Sequence, residues 1–298
     1  MQFARHREIV NRLSPDPLER QRVNRVVQLF ANPRSGGFNS ARLCHVVSEL
    51  KGQGAEVIVT LNLPFLLASP SVTEIEVMGG DGTIRDAVSC MIGADADLPI
   101  RIWPSGTVNL LSRELSAQKN GSAITHYAGM IDDQVMLVCA SGGPDSRIVS
   151  SVSPLLKRWI GRGAYLVSAL RQLVFWQEDR FQLEIDGRKI SCSAFYLAKG
   201  RFYAGPWSFA PQASGSVPML RGVALTSGGR ISYLRFVLEM LQGRVRDRAG
   251  LVQFECRNVR IDTDSTVPIQ IDGDCTNTGP VALSIREKPL RLHLAGLR

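Results

Sequence analysis

The sequence has no C-x-x-C pair, and no histidine stands at zinc-ligand spacing from any of its six cysteines, Cys44, Cys90, Cys139, Cys192, Cys256 and Cys275. That excludes a zinc-built fold, and the scattered thiols read as reduced and mostly buried as small hydrophobes. No apolar run approaches the ~20 residues of a membrane span, and the opening MQFARHREIV carries no apolar core of a secretory signal. The expectation is a cytoplasmic protein. Zinc knuckle, arginine-rich tail and RNA-binding aromatic signature are all missing, so the formal charge of +8 points away from nucleic acid and toward anionic lipid or phosphorylated substrates. Neither G-x-x-x-x-G-K-[ST] nor G-x-G-x-x-G occurs, which excludes a P-loop and the common dinucleotide fingerprint. Internal repeats and low-complexity tracts are absent too.

What is present is organised around Val77 to Val88, VMGGDGTIRDAV. An apolar, β-branched strand (Thr73 to Met78) runs into Gly79, Gly80, Asp81, Gly82 and Thr83, and helical spacing follows at once with Ile84, Ala87 and Val88. Glycines there let backbone N–H groups approach an anion closely. Asp81 stands where a carboxylate can meet Mg²⁺, and Thr83 opens a helix whose N-terminus favours negative charge. Taken alone, the pattern also suits an ordinary strand-to-helix turn. Two further strand ends strengthen the phosphate reading. Arg25 to Arg34 is a buried-type strand leading into Asn32-Pro-Arg-Ser35-Gly36-Gly37, followed by a helix capped by Asn39 or Ser40 with Leu43, Val46, Val47 and Leu50 on one face. Leu98 to Trp103 ends in Pro104, Ser105, Gly106 and Thr107, with a helix from Asn109 to Leu115. In an open α/β sheet such ends lie along one edge, where backbone N–H groups and hydroxyls can hold a nucleotide.

The 298 residues, 44% apolar and 21% charged, suffice for two cored domains. Residues 1–24, with Pro15 and Pro17, read as a solvated arm, and residues 25–133 as an open α/β domain. Near Asp132-Asp133 the character changes. From 134 to 298 short alternating strands dominate (VMLVCAS, RFQLEID, KISCSAFYLA, VQFEC, VRIDT, VPIQIDGD, VALSIR, LRLHL), which predicts a β-sandwich-like or barrel-like second domain. Two helical segments interrupt it, Pro154 to Trp176 and Ile231 to Leu241. The first mixes Leu, Trp, Tyr and Phe with Lys157, Arg158, Arg162 and Arg171, a composition that fits either a helix packed on the sheet or one lying on an anionic bilayer.

With these pieces in place, the sequence resembles the diacylglycerol kinase catalytic-domain family of lipid kinases. The matching residues are Asn32-Pro33-x-Ser35-Gly36, Gly79-Gly80-Asp81-Gly82-Thr83, Pro104-x-Gly106-Thr107-x-Asn109 and Asp272-Gly273-Asp274, in order from about Val26 to Leu294. The resemblance implies ATP and Mg²⁺ at the glycine-rich strand ends and a lipid hydroxyl as acceptor. Asp81 would position the ion and the triphosphate, and Asn32, Ser35, Thr83 and Thr107 would hold phosphate or ribose oxygens together with Ser105, Gly106 and Asn109. Asp274 would act as general base with Asp272 in support; the bare alternative for Asp272-Gly273 is a hairpin turn. NAD kinases look similar around GGDGT, and a member that binds nucleotide or lipid without transfer is a third reading. Several positions depart from the family pattern. Asp274 replaces glutamate, Leu110 replaces an aspartate after the Asn, Arg85-Asp86 replaces Asn-Glu, and Ser214 to Leu220 (SGSVPML) lacks an Asp-Gly that contributes to a structural metal site in bacterial members.

Overall fold

The computed structural model describes residues 25–117, 123–151, 178–264 and 266–295. The N-terminal arm and the Pro154 to Trp176 segment lie outside the described residues.

The first half runs β1 (Val26–Ala31), α1 (Ser40–Gly52), β2 (Glu56–Thr60), β3 (Glu74–Gly79), α2 (Asp81–Gly93), β4 (Ile100–Pro104), α3 (Leu110–Ala117) and β5 (Ile124–His126). Then come β6 (Gly129–Ile131), β7 (Gln134–Met136), β8 (Cys139–Gly142), α4 (Pro144–Ser151), β9 (Phe181–Ile185), β10 (Arg188–Cys192), β11 (Ala194–Ala198), β12 (Leu220–Leu225) and α5 (Arg230–Leu241). The chain closes with β13 (Val252–Cys256), β14 (Asn258–Thr263), β15 (Pro268–Ile271), β16 (Asp274–Thr278), β17 (Val281–Ile285) and β18 (Leu290–Leu294).

Every residue of β1 is buried, because this strand is covered on both faces. Val27, Leu29 and Ala31 meet Leu43, Val46 and Leu50 of α1. Phe30, on the opposite face, joins Ile84, Val88 and Leu111 from α2 and α3. This is the period-two alternation of a parallel strand between helical layers. As the spacing predicts, Asn39 caps α1, its side chain accepting from Arg42 N at 3.0 Å.

The sheet order is β2-β1-β3-β4-β18-β5. The sequence pattern assigns LRLHL to the second domain, but β18 lies parallel to β4 and antiparallel to β5 inside the first sheet. Its apolar alternation fits either sheet; only the tertiary pairing decides.

The remaining strands form two antiparallel six-stranded sheets, β10-β9-β14-β17-β6-β7 and β13-β12-β11-β8-β15-β16, the sandwich-like second domain that the alternating strands predict. Their shared core includes Phe181, Leu183, Phe195, Leu197, Ile261 and Ile269. On β11 the intervening residue Tyr196 faces outward and packs with Tyr233 and Phe236 of α5. VMLVCAS reads as one strand but is divided between the sheets: β7 belongs to one, β8 to the other, and Leu137-Val138 crosses between them. Asp132, with φ 47°, turns the β6–β7 hairpin, so the sandwich takes its first strand just before the change in sequence character.

Leu292 is fully buried between β4 and β5. Leu292→Ala should cost about 2–4 kcal/mol of unfolding free energy in urea; a loss below about 1 kcal/mol would mean that β18 contributes little to the first domain's core.

Candidate functional site

The C-terminal ends of β1, β3 and β4 lie side by side, with Ala31 opposite Met78 and Gly79 opposite Pro104. Their loops touch. Ser105 N donates to Gly79 O at 3.0 Å. A Cβ on Gly37 would fall 1.4 Å from Ser105 O, and one on Gly106 would fall 2.5 Å from Gly80 Cα. Gly37, Gly80 and Gly106 are therefore required by close backbone approach. None of Gly79, Gly80, Gly82 and Gly106 has positive φ, so the unusual backbone angles expected of the turn are not the reason for them. Gly36 stands in open space.

The helix after GGDG begins two residues earlier than the sequence suggests, at Asp81. The Asp81 carboxylate reaches across to α3, accepting from Leu110 N at 2.9 Å and Leu111 N at 3.1 Å. It thus caps a neighbouring helix and fixes the second loop against the third. Burial raises its pKa while those amides oppose the rise. Thr83 is buried, its side chain filling the space that a Cβ on Gly79 would need. Asn109, at φ 53°, accepts from Gly106 N at 2.9 Å and donates to Gly106 O at 2.7 Å; its amide shapes the third loop. Asn32 Oδ1 accepts from Arg34 N at 2.9 Å in the same manner. Thr107 is exposed. Ser35 Oγ and Ser105 Oγ are buried with no hydrogen-bond partner among the described residues, and both sit in these loops. Orphaned hydroxyls along a glycine-lined edge fit the oxygens of a nucleotide.

The Asp272-Gly273-Asp274 motif closes on the same edge from the second domain. Asp272 (φ 50°) and Gly273 (φ 88°) make the two-residue turn between β15 and β16, so the hairpin reading is correct as far as it goes. The turn aims two carboxylates differently. Asp272 is buried and accepts from Leu137 N at 2.7 Å, Val138 N at 2.8 Å and Cys139 N at 3.0 Å. Burial raises its pKa to about 6 against the pull of those amides. Asp274 is half-exposed, its Oδ2 accepting from Arg85 Nη2 at 2.7 Å, and a Cβ on Gly82 would lie 3.6 Å from that oxygen. Arg85 also donates to Ile271 O at 2.8 Å. Asp86 lies close enough for its carboxyl to be raised by burial first, with Arg85 opposing and Asp274 adding.

Among the described residues no three His, Cys, Asp or Glu side chains gather as a metal cluster. Both oxygens of Asp81, the expected Mg²⁺ ligand, accept backbone N–H groups, and the half-exposed carboxylate at this edge is that of Asp274, a donor of the kind Mg²⁺ takes beside phosphate oxygens and water.

The diacylglycerol kinase catalytic domain matches residues 26–140, and the YegS C-terminal NAD kinase beta sandwich-like domain matches residues 139–295. The chain belongs to the diacylglycerol kinase catalytic-domain family. Among relatives, a diacylglycerol kinase of Mycobacterium tuberculosis is 25% identical over 309 residues, covering 92% of this chain and 98% of its own. A Pseudomonas fluorescens protein named "Probable lipid kinase YegS-like" is 30% identical over 233 residues, 74% of this chain and 77% of its own. A Bacillus anthracis diacylglycerol kinase structure superimposes with TM-score 0.69 at 17% identity, covering 90% of this chain and 96% of that one, a likeness of fold.

Against the family pattern, Leu110 is buried and serves the site only through its backbone N–H. The sequence pattern assigns no role to two groups. Arg85 is noted there only as a departure, and nothing local announces that it pairs with a residue 189 positions away. Asp145, at the start of α4, accepts from Tyr203 and, at 2.8 Å, from Tyr233.

Since Asp272 binds a proton more tightly in the folded chain than its ordinary value of 3.8, the folded state holds the extra proton between about pH 4 and 6. Wild type should therefore lose stability relative to Asp272→Asn as pH rises through that window. A flat difference in urea unfolding free energies would remove the titration from Asp272.

Proposed function

We propose that the protein is an ATP- and Mg²⁺-dependent lipid kinase that phosphorylates the hydroxyl of a diacylglycerol-like or sphingoid-like alcohol, with Asp274 as general base. The supporting observation is the position of Asp274: a half-exposed carboxylate held by Arg85 beside Gly82, on the helix that follows the second glycine-rich strand end. An alcohol is a poor nucleophile near neutral pH, so a carboxylate that accepts its proton has a defined task. When bound, ATP supplies the phosphoryl group and Mg²⁺ offsets the phosphate charge. The chain's own residues do the positioning. Asp81 locks the second loop to α3, Asn109 closes the third, and Ser35 and Ser105 offer hydroxyls to the donor's oxygens. Arg85 orients the base, and Asp272 fixes the turn that carries it.

The decisive assay is phosphate transfer from labelled ATP with Mg²⁺ to a panel of hydroxylated lipids in mixed micelles, with NAD as a further acceptor. Asp274→Asn should lower kcat by about 10²-fold or more while KM for ATP stays within about threefold. NAD as the preferred acceptor would select the NAD kinase reading, and ATP binding without any product would select a non-catalytic member.

No helix among the described residues is long and apolar enough to cross a membrane. Surface contact is a different matter. On α5, Ile231 (84% exposed), Leu234, Leu238 (56%) and Leu241 form an outward stripe at helical spacing, with Arg235, Arg244 and Arg246 exposed around it. An apolar stripe ringed by arginine complements an anionic bilayer. Leu234→Glu with Leu238→Glu should reduce sedimentation with anionic vesicles several-fold and leave turnover of micellar substrate unchanged; undiminished sedimentation would assign contact to another surface.

A further inference from the structure

Lys199 follows β11 and is fully buried, a position that an ammonium tolerates only when its N–H groups find acceptors. Its Nζ donates to Ser214 O at 3.0 Å, to Met219 O at 3.3 Å and to Val217 O. Three donors meet three acceptors. All three carbonyls belong to the segment 214–219, where the family resemblance implies a structural metal. Backbone carbonyls converging on one point are the donors that a hard cation selects.

The residues present do not fit a divalent ion. The stretch from Pro211 to Leu220 contains no carboxylate, and the ammonium already fills the cage. Nor is there room to add an acid at 215: a Cβ there would fall 2.1 Å from His126 Nδ1. That imidazole is buried and neutral, held down to about 3 by burial and then by the Lys199 charge, with Nε2–H donating to Leu137 O at 2.9 Å. Burial lowers Lys199 itself to about 8, with Glu114 opposing, so at pH 7 it carries its proton.

We propose that the Lys199 ammonium is the resident cation of this site, replacing the accessory metal with a covalently tethered charge, so that segment 214–219 is held without a divalent ion. The held segment matters to both domains. Gly215 O accepts from Tyr127 N at 2.8 Å and Ser216 Oγ donates to Thr125 O at 2.9 Å, which ties β5 to the segment. Lys199 N donates to Val138 O at 2.7 Å, and Val138 N in turn donates to Asp272. Two residues on, Arg201 N donates to Glu114 Oε2 at 2.9 Å on α3, the helix whose first amides Asp81 holds. One buried charge thus stands where the sandwich, the last strand of the first sheet and the nucleotide-side helix meet.

The test is thermal unfolding of the full chain in EDTA and in MgCl₂ or CaCl₂, with metal analysis of the purified protein. Wild type should melt within about 1 °C in all three and carry no stoichiometric divalent ion. Lys199→Ala should melt about 5–10 °C lower and recover part of that loss in methylammonium chloride, but not in tetramethylammonium chloride of equal ionic strength, which has no N–H to donate. If Lys199→Ala does not fold, Lys199→Met, which keeps the stem's volume, should show the same loss. A stoichiometric divalent ion in wild type, a melting point that falls in EDTA and returns with Mg²⁺ or Ca²⁺, or a substituted chain that melts with wild type would each overturn the proposal.

Discussion

A single buried carboxylate fixes the point at which the chain passes from one sheet of the sandwich to the other. Asp272 collects three consecutive backbone N–H groups, those of Leu137, Val138 and Cys139, just where the chain leaves one sandwich sheet for the other. Amides at a sheet crossing have no ladder partner, and a buried amide without an acceptor is expensive. The carboxylate resolves that need and, in doing so, fixes the turn on which Asp274 sits. Pairing is what makes such burial tolerable: a charge in that position without its donors would oppose folding.

The three acids of the site therefore divide the work by what surrounds them. Asp81 and Asp272 are both occupied with backbone amides, one at a helix N-terminus and one at a strand crossing. Asp274 faces solvent and meets a guanidinium. Of the three, it alone has a carboxylate open at the mouth between the loops and the hairpin. The two enclosed acids fix the second loop and the hairpin turn, and the half-exposed one is left to the guanidinium of Arg85.

Much of this was legible in the residues. Continuous apolar runs ending in small residues announce parallel strands with ligand-binding ends, and the β1, β3 and β4 loops lie together as that pattern requires. Alternating short strands announce the sandwich. What stayed hidden is the set of features created only by long-range pairing. LRLHL has the same alternation whichever sheet receives it, and VMLVCAS has no mark at Leu137-Val138 to say that the chain changes sheets there. Asn109 and Asn32 look like ligand groups because amides bind phosphates and riboses, yet their side chains are bonded to their own loops. Gly37, Gly80 and Gly106 stand where neighbouring loops crowd, and left-handed angles play no part at Gly79, Gly80, Gly82 or Gly106. Lys199 gave no signal at all, since a lone lysine after an apolar strand ordinarily reaches for water.

The placement of β18 bears on how the molecule is made. Because Leu290–Leu294 separates β4 from β5 in the first sheet, the nucleotide-side half has a missing plank throughout the synthesis of the whole sandwich. A nascent chain can form β1 to β4 with their helices, but β5 has no neighbour in that sheet until Leu290–Leu294 emerges. The first sheet is consequently finished only after the sandwich strands have been made, and a chain lacking Leu290–Leu294 would lose the strand that joins β5 to β4.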